Sequence, residues 1–334
     1  MSSFDVISGK SVKDILDTSM TQVVDLVEDA YLRHGAGRTV NPDSYFLRFT
    51  DKPDSRIIAL PAFIELPEAQ VAGIKWISSF PGNVANGVPR ASAVLILNDY
   101  TTGYPMALLE AANISAVRTA ASAAVAARAI ARYVPADGQV AIIGAGVIAR
   151  TILRYLTATA YPINDLRVFD LHADSAVSLT RFATVELGLT ARTVGTLDEA
   201  LAAQTVITAT TALAPHIGEL LRAGQVALNI SLRDFQPAVI LGAENYFDDV
   251  EHCMKANTSP HLAEQATGGR DFVTGTIADV LKGQKLPNGR RGVVFSPFGL
   301  GVLDLAVGHY VLAMAREQGL ALEIANFFGE TRRW

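Results

Sequence analysis

The segment Val140-Ala141-Ile142-Ile143-Gly144-Ala145-Gly146-Val147-Ile148-Ala149 constrains the fold of this chain more than any other. Four apolar residues run into Gly-x-Gly-x-x-Ala, and helical spacing follows. Each small residue has a physical role. Gly144 permits a tight turn, Gly146 lets the backbone approach a pyrophosphate, and Ala149 lets the helix lie close to its strand. Ala145, Val147 and Ile148 complete a loop and first helical turn whose free N–H groups and positive dipole end suit phosphate. The alternation then continues. Leu166–Phe169 reads as a strand, Ala173–Leu187 as a helix, and Thr205–Ala209, Val226–Ile230 and, more weakly, Tyr246–Val250 as strands. Short apolar strands separated by helices predict an α/β unit with a doubly wound parallel sheet.

The second strand ends in Asp170, twenty-six residues after Gly144. A carboxylate there accepts hydrogen bonds from an adenosine ribose and repels a 2′-phosphate, which favours NAD over NADP. Thr210, Thr211 and Ser231 follow later strands, at the carboxyl edge where such sheets bind ligands. They are expected at the cofactor, although Thr208–Thr211 also reads as a polar strand end. Asp234 follows the Val226–Ile230 strand. A carboxylate at that edge can take a proton from an amine or activate water, and it also reads as a turn residue.

Outside this unit the period changes. Residues 11–33 read as one amphipathic helix capped by Ser11, and Ile114–Tyr133 as an alanine-rich helix. The short runs 44–50, 56–64, 71–78 and 91–98 read as strands of an antiparallel or mixed sheet. A last helix, about Leu303–Gln318, has a register suited to packing back onto this first part. A chain of 334 residues favours two domains. The expected layout is a Rossmann domain, 118–302, inserted into an α+β domain formed by 1–117 and 303–334.

The α+β part places cations in apolar surroundings. Lys75 lies within Val71–Ile77, Arg118 near the start of the alanine-rich helix, Arg48 within Tyr45–Phe49, and Arg56 opens Arg56–Pro61. Singly, each reads as a solvated or paired side chain. Together, they suit a ligand with carboxylates, for which arginine offers a planar bidentate fork. The net charge is −5, with 18% charged residues, and no basic excess points to nucleic acid or an anionic membrane. The stretch 106–133 carries Glu110, Arg118, Arg128 and Arg132, and reads as too polar to span a bilayer. One cysteine, Cys253, and no apolar leader fit a reducing cytoplasm, with Cys253 an ordinary packed residue. No histidine or cysteine spacing suggests a metal.

Taken in order, Gly73–Ile77, Ala93–Asp99 with Tyr104–Ala107, Ala116–Ser122, Ile143–Gly146 and Ser296–Asp304 resemble the ornithine cyclodeaminase/μ-crystallin family over nearly the whole chain. The resemblance implies a homodimer in which a substrate and dimerisation domain carries an inserted Rossmann domain. It implies a carboxylate grip by Arg48, Lys75 and Arg118, a catalytic Asp234 after the fifth Rossmann strand, and Lys75 beside the chemistry. Ornithine cyclodeaminases carry a Gly-Asp-x-Pro-Gly-Lys-x-Glu-Leu segment around that aspartate, whereas Leu232–Val239 here reads Leu-Arg-Asp-Phe-Gln-Pro-Ala-Val. Arg56–Pro61, Lys75–Ser79 and Pro89–Ser92 are more similar to the dehydrogenases of 2,3-diaminopropionate biosynthesis in siderophore and peptide-antibiotic pathways. That branch oxidises N-(2-amino-2-carboxyethyl)-L-glutamate, a polycarboxylate for which Arg56 and Arg90 are further candidate anchors. Cyclodeaminase, ketimine reductase and alanine dehydrogenase activities share this framework and stay open, as does a nucleotide-binding protein without turnover.

Overall fold

A computed structural model describes residues 4–329. The chain divides into two compact units. One comprises the N-terminal stretch to Arg118 and the C-terminal stretch from Leu300, and the other runs from Thr119 to Gly299.

The first unit is built on a mixed sheet of β1 (Phe4–Ile7), β2 (Thr39–Val40), β3 (Tyr45–Phe49), β4 (Lys52–Glu65), β5 (Gln70–Ser79), β6 (Ala91–Asp99) and β7 (Pro105–Glu110), with a last strand, Leu322–Ile324, at one edge. The order is Leu322–Ile324, β1, β7, β6, β5, β4, β2, with β3 also on β4. β1 runs parallel to β7, and the other pairs are antiparallel. Alternation sets two faces. Leu60, Ala62, Ile64, Leu95, Leu97, Ala107 and Leu109 are buried on the inner face, against which the helix Gly301–Glu317 lies. That helix approaches closely because Gly308 lacks a side chain. A Cβ there would stand 2.1 Å from Leu95 Cδ2.

The single helix expected over 11–33 is two, Gly9–Asp17 and Met20–His34. Ser8, not Ser11, is the first cap, and its hydroxyl accepts from Ser11 N at 3.2 Å. The break falls at Thr18-Ser19, where Thr18 Oγ1 donates back to Ile15 O, a local bond that competes with helix continuation. The alanine-rich helix, Ala112–Ala131, is long and apolar enough to cross a membrane by composition alone, with mean hydropathy 1.2. It is less polar than the stretch 106–133 suggests, because two of the four charges there, Glu110 and Arg132, lie outside the helix. Most of it, 67%, is buried within the protein, as in a core helix.

The second unit carries β8 (Gln139–Ile143), β9 (Asp165–Phe169), β10 (Ala191–Thr193), β11 (Thr205–Thr208), β12 (Val226–Asn229), β13 (Glu244–Phe247), β14 (Val273–Thr276) and β15 (Val293–Ser296). All pair in parallel, in the order β10-β9-β8-β11-β12-β15-β13-β14. The order reverses between β8 and β11, which is the switch point where such sheets open a ligand crevice. β15 slots between β12 and β13, although it comes last in this unit.

Candidate active site

The loop after β8 is shaped for a dinucleotide. Gly144 has φ +92, a left-handed conformation that a β-carbon disfavours, and a Cβ there would meet Ala209 O at 2.5 Å. Space over Gly146 is open, with nothing within 4 Å of an added Cβ. Gly146 is also the N-cap of the helix Val147–Ala158, and no side chain caps that end. Its first amides, at Val147 and Ile148, therefore face outward as donors. Ala149 is buried against the sheet. Asp170 closes the loop from β9. Its Oδ2 accepts from Ala145 N at 2.7 Å, and its Oδ1 accepts from His172 N at 2.8 Å. The residues present fit a pyrophosphate over Gly144–Ile148 and a ribose at Asp170.

Asp234 lies beside this edge and is fully buried, with 0% exposure. Thr210 Oγ1 donates to its Oδ1 at 2.5 Å, and Ser231 Oγ donates to its Oδ2. Both hydroxyls were expected at the cofactor, yet each gives its proton to this carboxylate and keeps only acceptor capacity for a ligand. Thr211 is exposed next to them. The turn is held by Leu232 at φ 68. His216 also faces the acid, with Nε2 4.0 Å from Oδ1. Sequence reasoning overlooked His216, because the loop that carries it precedes β12 and only the backbone brings the two together. Cys253 is buried, and its Sγ donates to Ser296 O and Asp248 Oδ1. Burial pushes its thiol well up, away from nucleophilic use.

The first unit holds a second buried acid. Asp304 is the lone acid in the apolar turns at the start of Gly301–Glu317, and it is 0% exposed. Lys75 Nζ donates to its Oδ2 at 2.6 Å, and Arg118 Nε to its Oδ1 at 3.2 Å. Lys75 also donates to Ser115 Oγ at 3.3 Å. Burial, and then the neighbouring Arg118 charge, pull the Lys75 ammonium down to about 8, against the opposing pull of Asp304. Asp304 had no assigned role in the sequence reading. Its signal was legible nonetheless, since a carboxylate among Val302, Leu303 and Leu305 must find cations.

The remaining cations share that face of the sheet. Arg48 stands opposite Arg56 across β3 and β4, Arg56 opposite Ser79 across β4 and β5, and Lys75 opposite Leu60. Directly opposed residues project to the same side. Arg90 Nη1 donates to Ser79 Oγ at 2.7 Å, and burial weighs against its charge. Arg48, Arg56 and Arg90 thus form one row. Arg56 lies four residues along β4 from Leu60, about 13 Å at roughly 3.3 Å per residue. Arg48 is the exposed member, with its guanidinium over the Phe46 ring.

The model of the ornithine cyclodeaminase/mu-crystallin family matches residues 10–319. The chain belongs to this family. It is 28% identical over 312 residues to the N-((2S)-2-amino-2-carboxyethyl)-L-glutamate dehydrogenase of Staphylococcus aureus, covering 89% of this chain and 91% of that protein. It is 26% identical over 319 residues to the alanine dehydrogenase of Archaeoglobus fulgidus, covering 92% and 95%. Among solved structures, the Thermococcus litoralis Delta(1)-pyrroline-2-carboxylate reductase in complex with NADH and L-proline matches with a TM-score of 0.87 and 26% identity, over 96% of this chain and all of that one. The expected family and α/β fold class are both borne out.

Proposed function

We propose that this family member oxidises N-(2-amino-2-carboxyethyl)-L-glutamate with NAD, releasing 2-oxoglutarate and L-2,3-diaminopropionate. The broader statement is that the chain is an NAD-dependent oxidoreductase acting on a C–N bond. The three similar proteins described above are two dehydrogenases and a reductase, and the loop at Gly144–Ile148 with Asp170 fits NAD. The observation that carries the narrower reading is the row Arg48, Arg56 and Arg90 beyond the Lys75–Arg118 pair. A substrate with one carboxylate needs one such anchor, whereas a tricarboxylate has partners for them all.

Each unit supplies one part of the chemistry. In the first, Lys75 and Arg118 hold a carboxylate and the arginine row orients the others. Lys75, titrating near 8, is also a candidate to exchange a proton with the substrate. In the second, Gly144–Ile148, Asp170, Thr210, Thr211 and Ser231 hold the cofactor. When bound, NAD supplies an acceptor for the hydride on the carbon bearing the amine. Asp234 takes the proton of the water that adds to the resulting substrate imine. Collapse of the carbinolamine then breaks the C–N bond. The balance is one substrate, one NAD and one water giving 2-oxoglutarate, diaminopropionate, NADH and one proton.

The outer face of the first sheet supports a homodimer. Tyr45, Leu47, Trp76 (41% exposed) and Val94 present apolar surface there, next to an apolar hollow lined by Pro61, Phe63, Ala72 and Ile74. Exposed apolar faces of this kind mark protein interfaces, and a second copy of the same face is the proposed cover.

The function test follows NADH absorbance with purified protein, NAD and the glutamate conjugate, with L-alanine, L-ornithine and L-proline in parallel. NADH formed from the conjugate alone, matched by 2-oxoglutarate, is the expected result. Oxidation of alanine instead would move the chain to a simple amino-acid dehydrogenase, a reading favoured by Lys75 and Arg118 being the cations held on the buried Asp304.

A further inference from the structure

We propose that His216 carries the proton between Asp234 and solvent. The inference rests on the reading of Asp234 as the proton acceptor. Asp234 is wholly buried, and its two oxygens meet the hydroxyls of Thr210 and Ser231. A proton gained there has no direct exit to bulk water. His216 lies between the buried acid and solvent, with its Nε2 4.0 Å from Asp234 Oδ1 and its side chain 40% exposed. The backbone fixes this placement. His216 N and Ile217 N both donate to Asp234 O, at 2.9 and 2.8 Å, and Ile217 forms a parallel bridge with Phe235. A gap of 4.0 Å exceeds a hydrogen bond, and a rotamer change or one bridging water closes it.

Imidazole suits the task because it exchanges protons near neutrality through two distinct nitrogens. After Asp234 accepts a proton, its O–H bond breaks as the Nε2–H bond forms. The imidazolium then gives its Nδ1 proton to water, and the ring regains its starting tautomer by exchange with solvent. The carboxylate is restored, and no electron changes hands. His216 acts through Asp234 and is therefore a positioning and relay residue, not a substrate contact.

The test compares wild type, His216→Ala, His216→Gln and Asp234→Asn by NADH formation from NAD with the glutamate conjugate, L-alanine or L-proline. The expected result is a kcat loss of about tenfold to a hundredfold in both His216 variants, toward the low end of general acid–base effects. KM and NAD affinity should not change. Added imidazole should restore kcat in His216→Ala and not in Asp234→Asn. Wild-type kcat in the His216 variants, or a loss that imidazole leaves untouched, overturns the relay alone. Full activity in Asp234→Asn, or no NADH from any substrate with wild type, overturns the reading beneath it and the relay together.

Discussion

Among the described residues two aspartates are 0% exposed, Asp304 in the first unit and Asp234 in the second, and their surroundings oppose each other. Asp304 meets two cations, Lys75 and Arg118. Asp234 meets two hydroxyls, with an imidazole just out of bonding range. The first carboxylate is neutralised by charge and holds the two cations in place. The second is solvated only by neutral donors, which hold its orientation without cancelling its charge. Thr210 and Ser231 hold the Asp234 carboxylate by hydrogen bonds without pairing its charge, whereas Lys75 and Arg118 pair that of Asp304. Burial alone therefore does not mark an acid for catalysis, and the partners decide.

The contrast breaks most sharply in turnover. Asp234→Asn should lower kcat by about a hundredfold to ten-thousandfold, the range of general acid–base catalysis, while NAD binding measured by fluorescence titration stays as in wild type. Near-normal turnover would place both aspartates in the structural class. Asp304→Ala should act on the fold first. It leaves Lys75 buried without its counter-ion, which costs about 3–5 kcal/mol, read as a fall in the urea midpoint. An unchanged midpoint would mean that the cations, not the acid, set that geometry.

A smaller effect separates hydroxyl from cation support. Thr210→Val removes one bond to the Asp234 carboxylate and should cost about 1.5–3 kcal/mol, as for bonds to charged groups. It should also reduce kcat, and equal kcat in Thr210→Val and wild type would show that the hydroxyl only fills space. The smallest effect is in pH. Lys75 is an ammonium below about 8 and neutral above it, so KM for a carboxylate substrate should climb as pH rises through that value. Lys75→Met should show a raised KM without that step. The unfolded chain keeps the Lys75 proton up to about 10.5. Between the two values it binds more protons than the folded chain, so stability from this group rises with pH there. A KM that is flat across this range in wild type would give the anchoring role to Arg118 alone.

Much of this was legible in the sequence because the signals were local. Gly144, Gly146, Ala149 and Asp170 lie within a single strand–helix–strand unit, where spacing and conformation are tied together. Asp234 was legible as an acid after a strand. Its bonds to the Thr210 and Ser231 hydroxyls were not legible, because those residues, expected at the cofactor edge, follow different strands, β11 and β12, that lie side by side. The split of the first helix at Thr18-Ser19 turned on one side-chain bond that periodicity does not register. β15, four buried residues arriving late in the chain, slots between β12 and β13 through pairing of distant segments, which no local pattern encodes.

The sequence by itself determined the parallel unit, the glycine loop after its first strand and the acid, Asp170, that closes that loop, since each depends on residues within one or two turns. It also determined that Lys75 and Arg118 would be cations in apolar ground. Only the tertiary structure decided what answers them. Asp304 comes from a helix 229 residues beyond Lys75, and His216 reaches Asp234 through backbone bonds across a loop. Pairing of buried charges is settled by which segments pack together, and that follows from the burial of the whole apolar surface, not from spacing along the chain.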